Sequence, residues 1–177
     1  MALVLPLLMV MVLGVVELSY ALLHQHVVAR LTREGSNLIS RDTSLQDAAT
    51  AMVNMSSQPV NFATNSRLIF SVIKRVATVG ASNYNKDVLY ARYQFGALSV
   101  ASALTTRGSG SFGAAPDYQA ANSDNDTGLQ LTNLPANLNT TGGMLYVTEI
   151  YTAHSLITPL NRFGVSVPTQ LYSIAYF

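Results

Sequence analysis

Apolar side chains fill the first 23 positions with little interruption. The run Met1-Ala-Leu-Val-Leu-Pro-Leu-Leu-Met-Val-Met-Val-Leu-Gly-Val-Val16 holds no polar side chain. Glu17 breaks it, and apolar residues resume at Leu18 and at Tyr20 to Leu23. About 20 such residues in succession suffice for a membrane-crossing helix. Beyond them the pattern narrows to a stripe. Leu31, Leu38, Leu45 and Met52 recur every seven residues, with Val28 and Ala49 beside them, and no proline falls between Pro6 and Pro59. One stripe on an otherwise polar stretch predicts an amphipathic continuation of the same helix, with Leu31, Leu38, Leu45 and Met52 as its docking face. The expected element is a single helix from about Ala2 to about Ser56, on the order of 80 Å long at 1.5 Å per residue. Gly35 and Asp42 interrupt the second row of the stripe, which argues against a coiled coil.

From Arg67 the period changes. Leu68-Ile-Phe-Ser-Val-Ile-Lys-Arg-Val76 is rich in β-branched and aromatic residues and predicts a strand. Asp87 to Phe95, Met144 to Thr152 and Thr169 to Phe177 predict three more. Gly80 to Asn85 reads as a turn, residues 105–143 as a long Gly/Ser/Asn/Thr-rich surface loop, and Pro159 to Gly164 as a turn or loop. The expected fold class is α+β: a long N-terminal helix, apolar in its first half, with an antiparallel sheet of about four strands packed on its second half. The division is residues 1–58 for the helix and 59–177 for a β-rich outer domain.

Composition strengthens the membrane or assembly reading. Of 177 residues, 49% are hydrophobic and 11% charged, against about 25% charged in an ordinary soluble domain. A net charge of +1 gives no steering toward nucleic acid. The chain has no cysteine, which excludes disulfides, thiolate metal sites and cysteine nucleophiles. No Walker-A, G-x-G-x-x-G, G-x-S-x-G or H-E-x-x-H pattern occurs. His24 and His26 lie two apart on a helix and point different ways, and His154 stands alone in a loop. No cofactor, no metal and no enzymatic activity is therefore expected. Asn54, Asn125 and Asn139 open sequons and are candidate glycosylation sites. A secretory signal peptide fits poorly: there is no Lys or Arg before Arg30 and no small-residue cleavage pattern. A plain membrane anchor would rarely need a Glu. A lone carboxylate in hydrocarbon costs roughly 2 kcal/mol or more and marks a function or a specific partner.

The segment ALVLPLLMVMVLGVVELSYAL, followed by LTREGSNLIS, resembles the N-terminal signature of TadE-like pseudopilins of tight-adherence pilus systems. The matching blocks are Ala2 to Leu8, Gly14 to Leu18 and Arg33 to Ser36. LYVTEIYTAHSLITPLNRFG and TQLYSIAYF resemble the closing strand pair of that family. The resemblance implies membrane insertion, prepilin-type processing and a structural subunit of an extracellular pilus-like filament. Its partners would be identical subunits, the inner membrane before assembly and the pilus assembly machinery, with no nucleic acid. Glu17, Met1, Gly14 and Pro6 are the expected assembly and register residues. Family precursors carry a short leader and a Glu-Phe before the ALVLP block, so Glu17 does not hold the position of the near-terminal glutamate of ordinary type IV pilins. Its expected partner is a neighbour's terminal amine, with Met1 about 24 Å along the axis, or a polar group on a neighbouring helix. Two other roles fit the sequence: a minor pseudopilin that primes or caps a pilus, and a membrane-anchored adhesion or binding module.

Overall fold

A computed structural model describes residues 4–41, 43–158 and 168–177. The elements in chain order are α1 (Val4–Ile39), α2 (Leu45–Met55), β1 (Ser66–Arg75), β2 (Asp87–Phe95), a short 3-10 turn (Thr127–Leu129), β3 (Met144–Ala153) and β4 (Gln170–Tyr176). All four predicted strands form, and they make one antiparallel sheet in the order β2-β1-β3-β4. β1 and β2 are sequence neighbours. The chain then crosses to the far side of β1 through residues 96–143 before β3 pairs with it, from Ser66↔Thr152 to Lys74↔Met144. Gly96 starts this crossing with φ +123, and a Cβ there would lie 2.3 Å from the Ser66 carbonyl oxygen. The predicted turn from Pro159 to Gly164 lies outside the described residues, as do Met1 and Asp42.

The continuous helix expected to reach Ser56 is two helices. α1 spans 36 residues, about 54 Å at 1.5 Å per residue, and the chain turns before α2. No proline or glycine marks the break. Its cause is capping chemistry: the Ser44 side chain accepts a hydrogen bond from the Asp47 backbone N–H at 3.1 Å and donates to the Asp47 carboxylate at 2.7 Å. Such a cap starts a new helix. The Gln46 N–H donates to the Pro116 carbonyl at 3.1 Å and ties α2 to the crossing segment. The seven-residue stripe is thereby shared between two helices. Leu31 of α1 and Leu45 and Met52 of α2 are buried in one core, and Leu38 packs half-buried against it.

α1 lies across β3 and β4, and α2 packs on α1 and β2. The core between helices and sheet contains Leu68, Phe70 and Val72 of β1, Ile150 of β3 and Leu171 of β4. At Gly35 α1 lies close against the sheet: an added Cβ would meet the Thr148 methyl at 2.8 Å and the Phe70 ring at 3.2 Å. The glycine that interrupts the stripe in sequence is thus a point of close packing on the sheet. Ser36, next to it, donates to the Ala175 carbonyl at 3.0 Å, while Arg33 and Glu34 face solvent.

The opposite face of the sheet is also covered. Ile73, Leu145 and Val147 lie under Leu104, with Leu131 and Leu134 packed against them. The 105–143 segment is tied down rather than free. Isolated bridges join it to β2 at Val88↔Gln130 and Ala91↔Gln119, and the Ala120 N–H donates to the Tyr90 carbonyl at 2.7 Å. These bonds occupy the outer edge of β2 and so limit its pairing with another chain.

Candidate assembly helix and carboxylate clasp

The apolar sequence at the N-terminus produces a helix that projects from the rest of the fold. Val4, Leu5, Leu7, Leu8, Met9, Met11, Val12, Val15 and Val16 are all exposed, Leu5 to 75%. Consecutive helical residues point around the circle, so among the described residues the helix is exposed on most of its circumference, with Val10, Leu13 and Gly14 half-buried on the face that leads to Glu17. Among the described residues one helical stretch, Leu7–Ile39, is long and apolar enough to cross a membrane, with a mean hydropathy of 2.0 over its most apolar 18-residue window. Gly14 sits in this sleeve with nothing within 4 Å of the place its Cβ would occupy. No contact among the described residues requires a glycine there, and a helical glycine costs about 1 kcal/mol relative to alanine.

Glu17 ends the bare region. Its residue is 2% exposed, and its partners come from the segment that follows β3. The Thr158 N–H and hydroxyl donate to Oε2 at 3.0 and 2.7 Å, and the Ile157 N–H donates to the same oxygen at 3.2 Å. His154 Nε2 lies 3.6 Å from Oε1. Two backbone N–H groups and a hydroxyl thus form a cradle around the carboxylate, the arrangement that holds anions in loops. Tyr20 and His24 follow at helical spacing on the same side. The Tyr20 and His24 rings lie 3.8 Å apart, and His24 meets His154 edge-on at 5.6 Å. The His154 backbone N–H closes the neck of the segment on the Thr169 carbonyl at 2.7 Å. Farther along α1, the Gln25 side chain donates to the Tyr172 carbonyl at 2.8 Å. The partner expected for Glu17, a neighbour's amine or helix, is here a loop of its own chain. His154, which looks solitary in the sequence, is part of that site. The spacing of Glu17, Tyr20 and His24 on one helical face is the signal the sequence offers; the loop, some 140 residues away, carries none.

A second buried carboxylate lies on the outer face of the sheet. Glu149 is 0% exposed and accepts from the Ser102 hydroxyl, from the Ala103 N–H at 2.7 Å and from the Tyr151 hydroxyl at 3.1 Å. Arg92 closes the cluster by donating to Ser71 at 3.2 Å and to Ser102 at 3.3 Å. Burial, then the negative charge of Glu149, pushes the Tyr151 hydroxyl up to about 12 and raises Tyr172 in the same way. Burial holds Arg92 below the usual guanidinium range, partly offset by Glu149. Glu149 is not among the residues that sequence patterns single out. Its alternation with Leu145, Val147 and Tyr151 is the signal that it faces inward.

Of the sequon residues, Asn54 and Asn125 stand at the surface. Asn139 is 8% exposed and donates its amide to Asp87 at 3.3 Å, so this fold does not present it as an acceptor for a glycan.

An exposed apolar helix docked through its rear half on an antiparallel sheet is the class the geometry defines. The family model described as TadE-like protein matches residues 1–37 of the 177. The match covers α1 as far as the Gly35–Ser36 contact and includes Gly14 and Glu17. No curated protein and no solved structure matches the chain. The match and the apolar helix together fit a pilus-related protein with a membrane-inserting N-terminus.

Proposed function

We propose that this chain is a structural subunit of an extracellular pilus-like filament, inserted in the membrane before assembly and packed in the filament through residues 4–23. The observation that carries this reading is the sleeve of apolar side chains exposed around most of the first part of α1. Burial stabilises by about 25 cal/mol per Å² of apolar surface removed from water, and a helix that is apolar all round demands either lipid or a bundle of like helices. Both are required in succession by a subunit that waits in a membrane and then joins a polymer. The open site at Gly14 supports the same reading, because a small residue lets a neighbouring helix approach closely. In this reading the protein is structural rather than catalytic, its partners are copies of itself and the machinery that assembles them, and the sheet domain faces outward.

The test is a Gly14→Leu variant. It should enter the membrane fraction like the wild type, because leucine lowers the cost of insertion. Filaments in surface preparations, counted by electron microscopy and identified by mass spectrometry of their main band, should be lost or much reduced. Normal filament yield from the variant, or a main band of another protein, would count against the assignment.

A further inference from the structure

We propose that residues 154–158 are a membrane-interface element: the segment enters the boundary layer of the lipid bilayer together with α1, held there by Glu17, with Ile157 as its immersed side chain. This rests on the reading that α1 is inserted in a bilayer before assembly.

The clasp fixes the segment to the helix inside the apolar stretch, not beyond it. Glu17 precedes Leu23, the last residue of that stretch, by six positions, about 9 Å of helix. Whatever layer receives that turn of α1 must receive its bound loop as well. The loop is suited to it. Ile157 is 53% exposed although its own N–H is bonded to Glu17. On α1, Leu18, Leu22 and Leu23 are exposed too. Ile157 therefore continues the apolar sleeve across the one side of the helix where the loop covers it.

The carboxylate and the backbone and hydroxyl donors that face it, which would otherwise oppose immersion, are paired within the clasp; the His154 ring nitrogens are buried beside it with no hydrogen-bond partner among the described residues. The Glu17 carboxylate accepts from Ile157 and Thr158, the Thr158 hydroxyl is used in the same contact, and the His154 backbone N–H is bonded to Thr169. A charge carried into a layer of low polarity is tolerated when its donors travel with it. Lipid is the occupant the geometry favours over a single second copy. The exposed apolar residues run along most of the circumference, outside the face that carries Glu17, and Val4 to Leu23 spans about 29 Å, close to the roughly 30 Å of a hydrocarbon core. The polar residues His24, Gln25 and His26 begin immediately after it.

The absence of cysteine allows a direct test with the full chain. Single substitutions Val12→Cys, Ile157→Cys and Val79→Cys each receive an environment-sensitive fluorophore. Each protein is reconstituted at low protein-to-lipid ratio in vesicles of phosphatidylcholine and phosphatidylglycerol carrying quenchers at shallow or deep positions. The label at 12 should be blue-shifted and quenched from the deep position. The label at 157 should be blue-shifted and quenched from the shallow position. The label at 79, on an exposed residue of the β1–β2 turn, should show neither effect. A label at 157 that behaves like the one at 79, while 12 is immersed, overturns the proposal and leaves helix insertion standing. A blue-shifted label at 157 that no lipid quencher reaches identifies a second copy as the cover and also overturns it. A label at 12 that remains in water overturns both the proposal and the reading beneath it. Adding Glu17→Leu to Ile157→Cys should abolish shallow quenching at 157 with position 12 unchanged. Retained quenching would overturn the assigned role of Glu17.

Discussion

Two buried glutamates divide this molecule. Glu149 lies in the middle of β3, on a sheet face sealed by the crossing segment. Glu17 lies on a helix that projects beyond the fold. Both are almost wholly buried, and each accepts from backbone N–H and hydroxyl donors. The difference is in what surrounds the donors. Those of Glu149 belong to strands and to a segment packed on the sheet, with Arg92 closing the cluster. Those of Glu17 belong to two consecutive residues of one loop, with apolar surface exposed all around. Glu149 can be exposed only by opening the sheet domain. Glu17 can be exposed by lifting a single loop. One carboxylate is part of the domain's cooperative unit, and the other is a detachable contact between that domain and the assembly helix.

The contrast is broken most severely at Glu149. A Glu149→Ala variant leaves the Ser102 hydroxyl, the Ala103 N–H and the Tyr151 hydroxyl without their shared acceptor, and Arg92 without the nearby negative charge, in a sealed site. Breaking a buried charged cluster in this way costs about 3–5 kcal/mol. Chemical unfolding of the full chain in detergent, followed by circular dichroism of the sheet, should show a loss of that size or a failure to fold. A loss below about 1 kcal/mol would mean that the cluster is more open to water than its burial indicates.

Alkaline pH should reach the same cluster with a smaller effect. Tyr151 is 7% exposed and its hydroxyl is raised to about 12, with Tyr172 raised beside it. Below the ordinary tyrosine value of about 10 both rings are neutral in the folded and unfolded chains, and their contribution is fully present. Above it the unfolded chain loses protons first, so stability falls as pH rises through the folded value of Tyr151 near 12. The fall should amount to about 2–3 kcal/mol by the end of that window, since a tenfold change in proton affinity corresponds to about 1.4 kcal/mol. Unfolding midpoints measured between neutral and strongly alkaline pH should show it, and Tyr151→Phe should make the slope shallower. A slope unchanged by that substitution would place the alkaline sensitivity elsewhere.

How much of this is legible in the sequence follows from the range over which each signal acts. The strands are legible because β-branched and aromatic residues declare themselves locally: Asp87 to Phe95 is both the predicted and the observed β2. The division of the helix is written in Ser44-Leu-Gln-Asp47, a capping pattern masked by the absence of proline and by the unbroken seven-residue stripe. The residues of the stripe Leu31, Leu45 and Met52 lie buried in one core, but repeats at that spacing do not reveal that the chain turns between Leu38 and Leu45. Sheet order is not legible, since placing β3 beside β1 depends on a long crossing whose pairing is non-local. Glu17 announces itself by its cost in an apolar run. Its partners do not, because backbone N–H groups have no residue signature and any loop can supply them.

Glu17 is where the comparison is sharpest, although its effect on global stability should be the smallest. In Glu17→Leu the carboxylate is replaced by a side chain suited to the apolar sleeve, and the N–H groups of Ile157 and Thr158 lose their acceptor. A hydrogen bond to a charged group contributes about 1.5–3 kcal/mol, but the cost of desolvating the carboxylate disappears with it, and the released loop can turn its donors to water. The net change in the unfolding free energy of the sheet domain should therefore stay within about 1 kcal/mol. Local opening should change much more. Hydrogen exchange in detergent should show the amides of Ile157 and Thr158 losing protection, while that of Ala103, bound to Glu149, keeps its own. Loss of protection at all three would show that the loop and the sheet open as one unit, and that Glu17 holds the domain together rather than joining it to the helix. Protection retained at 157 and 158 would show that the loop is held by something other than the carboxylate.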